Sequence, residues 1–292
     1  MPFRSLCRWM LAPVAIAAQL AFGCTYPDDV IALPAPVLPC DLRCGLAECP
    51  CPADPHVPID FIPGAGFAID ATEVTVQQYS TFMKSRPTPE RSSAQPQCTW
   101  NESYEPVVST FDVDPNCRAF DYEALLIDDP QRPVVCIDHC DAVDYCEWRG
   151  GHLCGRMGGG GLLPGMRGSR QDEWYNACSA GDLQPYCYGS VFDPVACNSR
   201  FVDNQNGTLR VASLPDCEGP ALGLFDMNGN VKEWVFDCED SDPPASSSCY
   251  RVGGAFFEGD ANSLRCDSAT EAQRSTLGHD TGFRCCYDRA GG

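Results

Sequence analysis

Positive charge and histidine are scarce in this sequence. Its 292 residues include 20 Lys and Arg against 40 Asp and Glu, which gives a formal net charge of −20 at pH 7. Such a surface repels phosphate backbones, so no nucleic-acid partner is expected. The four histidines, at positions 56, 139, 152 and 279, are widely scattered and do not indicate a histidine-based catalytic centre.

Several catalytic signatures are also missing. The chain has no His-Glu-x-x-His metal motif and no Gly-x-Ser-x-Gly nucleophile motif. The glycine-rich stretch at 158–161 is not followed by Gly-Lys-Ser or Gly-Lys-Thr, which excludes a phosphate-binding loop of that type. The apolar run at 9–22 is too short for a confident membrane span.

The start of the chain carries export signals. Arg4 and Arg8 precede the apolar run, so residues 1–23 are predicted to be a signal peptide. Residues 21–24, Ala-Phe-Gly-Cys, are also typical of a bacterial lipobox, in which a lipidated Cys24 would anchor the chain to the outer leaflet of a membrane. The bulky second residue of that stretch leaves simple cleavage nearby open. Either alternative predicts an exported protein, cell-envelope or secreted.

Cysteine is abundant, in contrast. The 21 cysteines favour an oxidising compartment and disulfides, because thiols at this density would not stay reduced or useful in a cytosol. The spacings do not supply the paired Cys-x-x-Cys motifs of a zinc site. If residues 1–23 are removed and Cys24 is lipidated, 19 cysteines remain. That odd number implies one free thiol or an unusual pairing.

The composition predicts one sizeable domain with an appendage. Residues 24–63 are dense in proline and cysteine, which favours an extended tether carrying a small cross-linked knob. Spacing is the favoured role of this tether, and binding by the knob stays an alternative. A globular domain follows at 64–288, with a tail at 289–292.

Local patterns predict short elements in this domain. Thr75 is expected to cap a helix whose Val76 and Tyr79 share an apolar face, and Asp141 is expected to cap a second helix. Residues 133–137, Pro-Val-Val-Cys-Ile, are typical of a buried strand.

One segment, residues 223–234, combines acidic side chains with apolar anchors. Asp226 and Glu233 flank Gly229 and Asn230, and two carboxylates in a mostly buried loop must be solvated, protonated or paired with a cation. Carboxylate and backbone carbonyl oxygens are the ligands that Ca²⁺ prefers. A polar surface turn followed by an anchoring Trp234 is the alternative.

This segment resembles the G-L-x-[DN]-x-x-G-N-V-x-E-W signature of the sulfatase-modifying-factor family, to which the formylglycine-generating enzymes belong. Further family-like landmarks occur in the family's order at 71–75, 141–148, 172–178, 251–256 and 282–285. The resemblance covers about residues 60 to 288. It implies an α+β fold like that of C-type lectins, with little regular secondary structure and many disulfides.

The resemblance also implies two structural calcium sites. The first would take Asn198, Ser199, Asp203 and Gln205, with a shorter loop between the two pairs than the family has. The second would take the side chains of Asp226 and Glu233 and the backbone carbonyls of Gly229 and Val231.

Two disulfides are implied by position, Cys146–Cys285 and Cys178–Cys266. The family's catalytic cysteine pair, which holds copper, has no counterpart here. Residues 255–265, after Gly253-Gly254, contain no cysteine, and Glu258 or a near neighbour fills the place of the first. Copper is therefore not expected.

Three functions remain open. A calcium-stabilised binding module for a peptide or glycan is favoured, with a groove near Phe256, Phe257, Glu258 and Asp260. The alternatives are an oxidoreductase with a non-standard active site that recruits Cys249 or Cys286, and a structural protein of the envelope. The protein is expected to be a monomer.

Overall fold

The structure is a computed structural model that describes residues 56–60, 66–86, 96–106, 115–118, 121–163, 165–202, 207–239 and 241–288. All of them belong to one compact unit, Leu38–Gly292. The predicted signal peptide, Cys24, most of the tether, the tail, Asp203 and Gln205 lie outside the described residues.

The described chain forms short helices and two four-stranded sheets. The helices are α1 (Val76–Ser85), α2 (Pro115–Arg118), α3 (Tyr122–Asp128), α4 (His139–Trp148) and α5 (Glu173–Ser179). The strands are β1 (His56–Ile59), β2 (Phe67–Asp70), β3 (His152–Leu153), β4 (Lys232–Glu239), β5 (Ser248–Val252), β6 (Ala269–Gln273), β7 (Thr281–Phe283) and β8 (Cys285–Asp288). This is the expected α+β class.

The first sheet has the order β1-β2-β8-β3, with antiparallel neighbours. Its edge strand β1 lies inside the stretch predicted to be a tether. Val57 and Ile59 alternate inward and are buried, which explains why this stretch pairs with β2. Pro58 is tolerated because β1 is an edge strand.

The second sheet has the order β6-β5-β4-β7. Strands β4 and β7 run parallel, with Glu233 opposite Gly282 and Trp234 opposite Phe283. This pairing brings the landmark segment at 223–234 beside the end of the chain. Trp234 and Phe283 pack in one buried cluster with Tyr79 and Tyr145.

The helix starts follow the sequence with one correction. Thr75 caps α1 in a capping box with Gln78, as its position predicts. The cap of α4 is Asp138 and not Asp141. The two aspartates form a reciprocal capping box, in which each side chain accepts the backbone N–H of the other. Asp141 is therefore the third helical residue.

Residues 133–137 form no strand, in contrast to the prediction. Val134, Val135 and Ile137 are fully buried, but only Pro133 forms an isolated bridge, to Thr75. Cys136 has φ +61, a left-handed conformation that interrupts an extended strand, and it is joined to Cys117.

Seven disulfides hold the described residues together. They are Cys98–Cys140, Cys117–Cys136, Cys146–Cys285, Cys154–Cys286, Cys178–Cys266, Cys197–Cys217 and Cys238–Cys249. The two pairs that the resemblance implies are both present. Cys187 is a free, buried thiol. Among the described helices, none is long and apolar enough to cross a membrane.

Candidate functional site

A buried ion pair joins the landmark segment to the end of the chain. The guanidinium of Arg284 donates to both carboxylate oxygens of Glu233, at 2.8 to 3.0 Å, and the two residues are 0% and 1% exposed. The indole N–H of Trp174 donates to Oε2 of Glu233 at 2.8 Å. Although burial lowers the pKa of Arg284, Glu233 outweighs burial and raises it overall, so the guanidinium is charged.

Two further carboxylates lie in the field of the same guanidinium. Glu73 is fully buried, and its Oε1 accepts from Nδ2 of Asn230 at 3.0 Å. Its Oε2 has no hydrogen-bond partner among the described residues. Asp226, also buried, accepts the backbone N–H of Ala212 at 2.6 Å. Burial raises the pKa of Glu73 well above its usual range, and the charge of Asp226 raises it further.

Among the described residues, this cluster holds three carboxyl groups, Glu73, Asp226 and Glu233, and one cation, Arg284. Burial raises the pKa of Asp226 to about 6, against the lowering effects of Ala212 and Arg284. In the absence of a further cation, protonation is the remaining way to neutralise the surplus.

The first predicted calcium site adjoins this cluster on one side. Nδ2 of Asn198 donates to Oδ1 of Asn230 at 2.9 Å and to the carbonyl of Gly207 at 3.1 Å. The hydroxyl of Ser199 donates to the carbonyl of Pro194 at 2.5 Å. Asn230 therefore connects Asn198 with the buried carboxylate of Glu73.

Sequence reasoning did not include Glu73 or Arg284 in this site. Both lie within the family-like landmarks, at 71–75 and 282–285. The pairing of β4 with β7 brings Arg284 to the segment at 223–234, and Glu73 reaches that segment through its hydrogen bond from Asn230. An acid and a cation inside otherwise uncharged landmarks were the available signal. Glu233, expected to face a calcium ion, has both carboxylate oxygens occupied by Arg284 and Trp174.

The predicted groove residues have unequal exposure. Phe256 is buried, and its backbone N–H donates to the carbonyl of Asn230. Phe257 is 38% exposed, and its ring stacks on His279 with centroids 6.2 Å apart. Only Phe257 of these two offers apolar surface to a ligand.

Glu258 and Asp260 are engaged within the protein. Oε1 of Glu258 lies 2.8 Å from Nζ of Lys232, which also donates to Asp280 at 2.9 Å. The same ammonium lies 4.7 Å from the ring centroid of Phe257. Asp260 accepts from two backbone N–H groups and the hydroxyl of the turn at 262–263. The cationic partner of Glu258 is therefore Lys232.

A second exposed aromatic residue packs against Gly259, in the loop that also carries Phe257 and Glu258. Phe201 is 55% exposed, and its ring lies 2.9 Å from where a Cβ on Gly259 would stand. The side chain of Arg200 also packs against Gly259, and its backbone N–H donates to the carbonyl of Glu258. We call Arg200, Phe201 and Phe257 the aromatic face.

Three clusters of metal-ligating side chains occur among the described residues. They are His139 with Cys238 and Cys249, Cys187 with Cys197 and Cys217, and His152 with Glu173 and Asp288. None contains Asp226 or Glu233. In the first two, two of the cysteines are already joined as disulfides.

These features define a disulfide-rich α+β domain built around a buried carboxylate–guanidinium cluster. Residues 41–289 match the family described as sulfatase-modifying factor enzyme 1-like domain. The chain belongs to this family. The matched region begins upstream of β1.

Two curated relatives and one solved structure are similar to this chain. The chain is 27% identical over 203 residues to the formylglycine-generating enzyme of Mycobacterium tuberculosis, covering 59% of this chain and 63% of that protein. It is 23% identical over 194 residues to the enzyme of Bos taurus, covering 57% and 46%. It thus matches less than two thirds of either relative. PvdO from Pseudomonas aeruginosa shares the fold, with a TM-score of 0.51 at 19% identity over 84% of this chain and 97% of PvdO.

Proposed function

We propose that this domain is a calcium-stabilised binding module for a peptide or glycan and does not generate formylglycine. Seven disulfides are compatible with an exported protein. Export through residues 1–23 and anchoring through Cys24 are part of the proposal. The observation that carries it concerns the segment after Gly253-Gly254. In place of thiols, this segment has the exposed ring of Phe257 and the ion pair of Glu258 with Lys232.

The chemistry at this turn argues against copper-dependent oxidation. Thiolates select Cu(I), whereas carboxylates and ammonium groups do not. Here Glu258 is paired with the buried ammonium of Lys232, which is also paired with Asp280. Although burial raises the pKa of Asp280, Lys232 and Arg251 lower it overall, which favours its carboxylate form. Carboxyl and ammonium groups leave no soft donor for copper at this position.

The aromatic face supports ligand binding. Exposed aromatic rings offer a ligand large apolar contact area. Phe257 precedes Gly259 by two residues, Phe201 packs against Gly259, and the neighbouring Arg200 adds a cation and polar donors. Flat rings with an adjacent guanidinium suit the apolar face of a sugar or the side chains of an extended peptide.

Calcium would serve as a structural ion beside Arg284. The ligands proposed for it are Asp226 and the unpartnered Oε2 of Glu73, with backbone carbonyls of Gly229 and Val231 as further donors. A divalent cation there offsets the surplus negative charge of the buried cluster. Its role is stability, and no reaction step is assigned to it.

Binding is tested with the purified domain on glycan arrays and on a library of extended peptides. Phe257→Ala and Phe201→Ala are expected to weaken the ligand found by at least about tenfold, because each removes aromatic contact area. Leu222→Ala, at a side chain that is 89% exposed, is the matched control and should bind as the parent does. Unchanged binding in both phenylalanine variants would contradict the assignment of the aromatic face.

The absence of formylglycine chemistry is tested separately. The copper-treated domain is incubated with oxygen, reductant and a sulfatase-type Cys-x-Pro-x-Arg peptide, and the peptide is weighed by mass spectrometry. We expect no aldehyde product. An aldehyde mass shift that is lost on Cys249→Ser or Cys286→Ser would instead support the oxidoreductase alternative.

A further inference from the structure

The disulfide Cys238–Cys249 differs from the other six in exposure. Both cysteines of every other described disulfide are buried, and so is Cys249. Cys238 alone is half-buried. It lies on β4 directly opposite Cys249 on β5, only 11 residues apart in sequence. A sulfur that solvent can reach is a prerequisite for attack by another thiol.

Cys238 opens onto a cavity of about 250 Å³. The residues that line the cavity are Gln97, His139, Gly161, Phe236, Cys238 and Arg274. This volume suits a small organic molecule and not a folded protein segment. The lining combines one aromatic side chain with the guanidinium of Arg274, so it favours a compact ligand that carries a carboxylate.

His139 holds a hydrogen-bond donor against the disulfide. Its Nε2 lies 3.1 Å from the carbonyl of Val235 and 3.5 Å from Sγ of Cys238. Because a carbonyl only accepts, Nε2 must carry the hydrogen. Nδ1 is buried and has no hydrogen-bond partner among the described residues. A ring nitrogen of His139 and the Sγ atoms of Cys238 and Cys249 lie within 4.8 Å of one another.

The surroundings of the sulfurs favour a thiolate. Burial, with the charge of Arg274, lowers the pKa of His139 to about 3, so the ring is a neutral N–H donor. Arg274 is anchored by its own hydrogen bonds to the carbonyl of Pro244 at 2.9 Å and the hydroxyl of Ser247 at 3.1 Å. The cation at the cavity wall, and the Nε2–H that His139 shares between the carbonyl of Val235 and Sγ of Cys238, both favour a developing sulfur anion.

We propose that Cys238–Cys249 is a thiol–disulfide exchange site for low-molecular-weight thiols that carry a carboxylate. The thiolate of the substrate attacks Sγ of Cys238, the Cys238–Cys249 bond breaks, and Cys249 leaves as a thiolate close to His139. A second substrate thiolate attacks the substrate sulfur of the mixed disulfide and releases Cys238 as a thiolate.

The reaction balances without any further reagent. Two substrate thiols are oxidised to one substrate disulfide, and the protein disulfide is reduced to two thiols. The two protons that the substrates lose end on Cys238 and Cys249. In reverse, a substrate disulfide reoxidises the protein. This site is separate from the aromatic face, so the proposal does not depend on ligand binding there.

The first test compares three thiols of different charge on the folded protein: 3-mercaptopropionate, 2-mercaptoethanol and cysteamine. The reactions are run at matched thiolate concentrations. The salt concentration is about 0.15 M, where electrostatic interactions are screened beyond about 8 Å. Reduced cysteines are then alkylated and mapped by mass spectrometry. We expect Cys238 and Cys249 to be labelled while the other six disulfides stay closed. The carboxylate thiol should react roughly tenfold faster than cysteamine. Earlier opening of another disulfide, or equal rates for the three thiols, would overturn the proposal.

The second test fixes the direction of attack. In Cys249→Ser the remaining Cys238 should form a mixed disulfide with 3,3′-dithiodipropionate, whereas in Cys238→Ser the buried Cys249 should react at least tenfold more slowly. Equal reactivity of the two variants would contradict attack at Cys238. Arg274→Gln should remove the preference for the carboxylate thiol and Arg274→Lys should keep it, with melting curves confirming that both are folded. The comparison of thiols on the parent protein decides the proposal even if neither variant folds.

Discussion

Arg284 and Glu233 form the most completely buried ion pair of the described chain. Removing one partner of such a pair leaves an uncompensated charge in the interior and typically costs about 3 to 5 kcal/mol. Arg284→Met is therefore expected to lower the free energy of unfolding by that amount. The change also removes the guanidinium N–H groups that donate to the backbone carbonyls of Asp70 and Phe225.

A double-mutant cycle separates the charge from the packing. Arg284→Met with Glu233→Gln should be less destabilised than the sum of the two single variants, because no uncompensated carboxylate remains beside the missing guanidinium. Denaturant unfolding monitored by fluorescence measures all four proteins. Strict additivity would show that the two side chains act independently, contrary to their geometry.

Asp226 gives the ion-free protein a predictable dependence on pH. Its folded pKa of about 6 lies above the usual value of 3.8. A raised folded pKa means that stability is fully present below the unfolded pKa and is lost as pH rises through the folded pKa. A shift of this size corresponds to a loss on the order of 2 to 3 kcal/mol between about pH 4 and pH 7.

Calcium should act over the same pH window, because it binds the ionised carboxylate. The melting temperature of the calcium-loaded protein should exceed that of the calcium-stripped protein clearly at pH 7.5 and little at pH 5. Asp226→Ala should abolish this calcium response, whereas Asp216→Asn, at an exposed carboxylate, should keep it. Superimposable melting curves with and without calcium at pH 7.5 would argue against the site.

At the scale of elements, the turn at 228–230 depends on the absence of a side chain at Gly229. This glycine has φ +76, and a Cβ there would collide with the carbonyl oxygen of Asn198. Gly223 has φ +84 but open space around the same position. The two residues thus share the backbone strain and differ in the clash.

Gly223→Ala is expected to cost about 1 kcal/mol, from the left-handed conformation alone. Gly229→Ala should cost at least about 2 kcal/mol more, since the collision involves backbone and must displace the chain at Asn198 or the turn. Thermal unfolding of the two variants in calcium measures the difference. Equal destabilisation would mean that the turn adapts without loss.

Local chemistry explains which elements were predictable. Thr75 with Gln78 is a self-contained capping signal, so the start of α1 was predictable within a few residues. The start of α4 was displaced by three residues because Asp138 and Asp141 both suit a cap, and only the reciprocal hydrogen bonds assign their roles. Apolar patterning at 133–137 predicted burial correctly but not conformation, since it carries no information about the left-handed φ of Cys136.

The site was less predictable than the fold because its contacts are long-range. Glu258 was recognisable as the residue in place of a cysteine, but its partner Lys232 lies on β4 and faces Asp280 as well. Glu73 and Arg284 are more than 200 residues apart in sequence yet act on the same carboxylate cluster. Sequence spacing carries no information about such long-range contacts.

At the scale of the whole molecule, the disulfides differ in the number of residues between their two cysteines. Cys146–Cys285 spans 139 residues and connects α4 with β8, so it ties the first half of the domain to its end. Cys238–Cys249 spans 11 residues within one strand pair. In the chain-entropy description, the longer loop restricts the unfolded chain much more.

Removing Cys146–Cys285 with paired alanine substitutions should therefore cost about 5 kcal/mol, against about 3 kcal/mol for removing Cys238–Cys249. Both are upper figures for the entropic contribution, and their order is the prediction. Guanidinium unfolding of the two double variants measures it, with the intact protein as reference. A larger loss for the short loop would show that local packing around His139, and not chain restriction, sets the stability of that strand pair. The predicted order instead leaves Cys238–Cys249 as a bond that the domain can open and close while the long-range bridges keep the fold intact, which is the behaviour required of an exchange site.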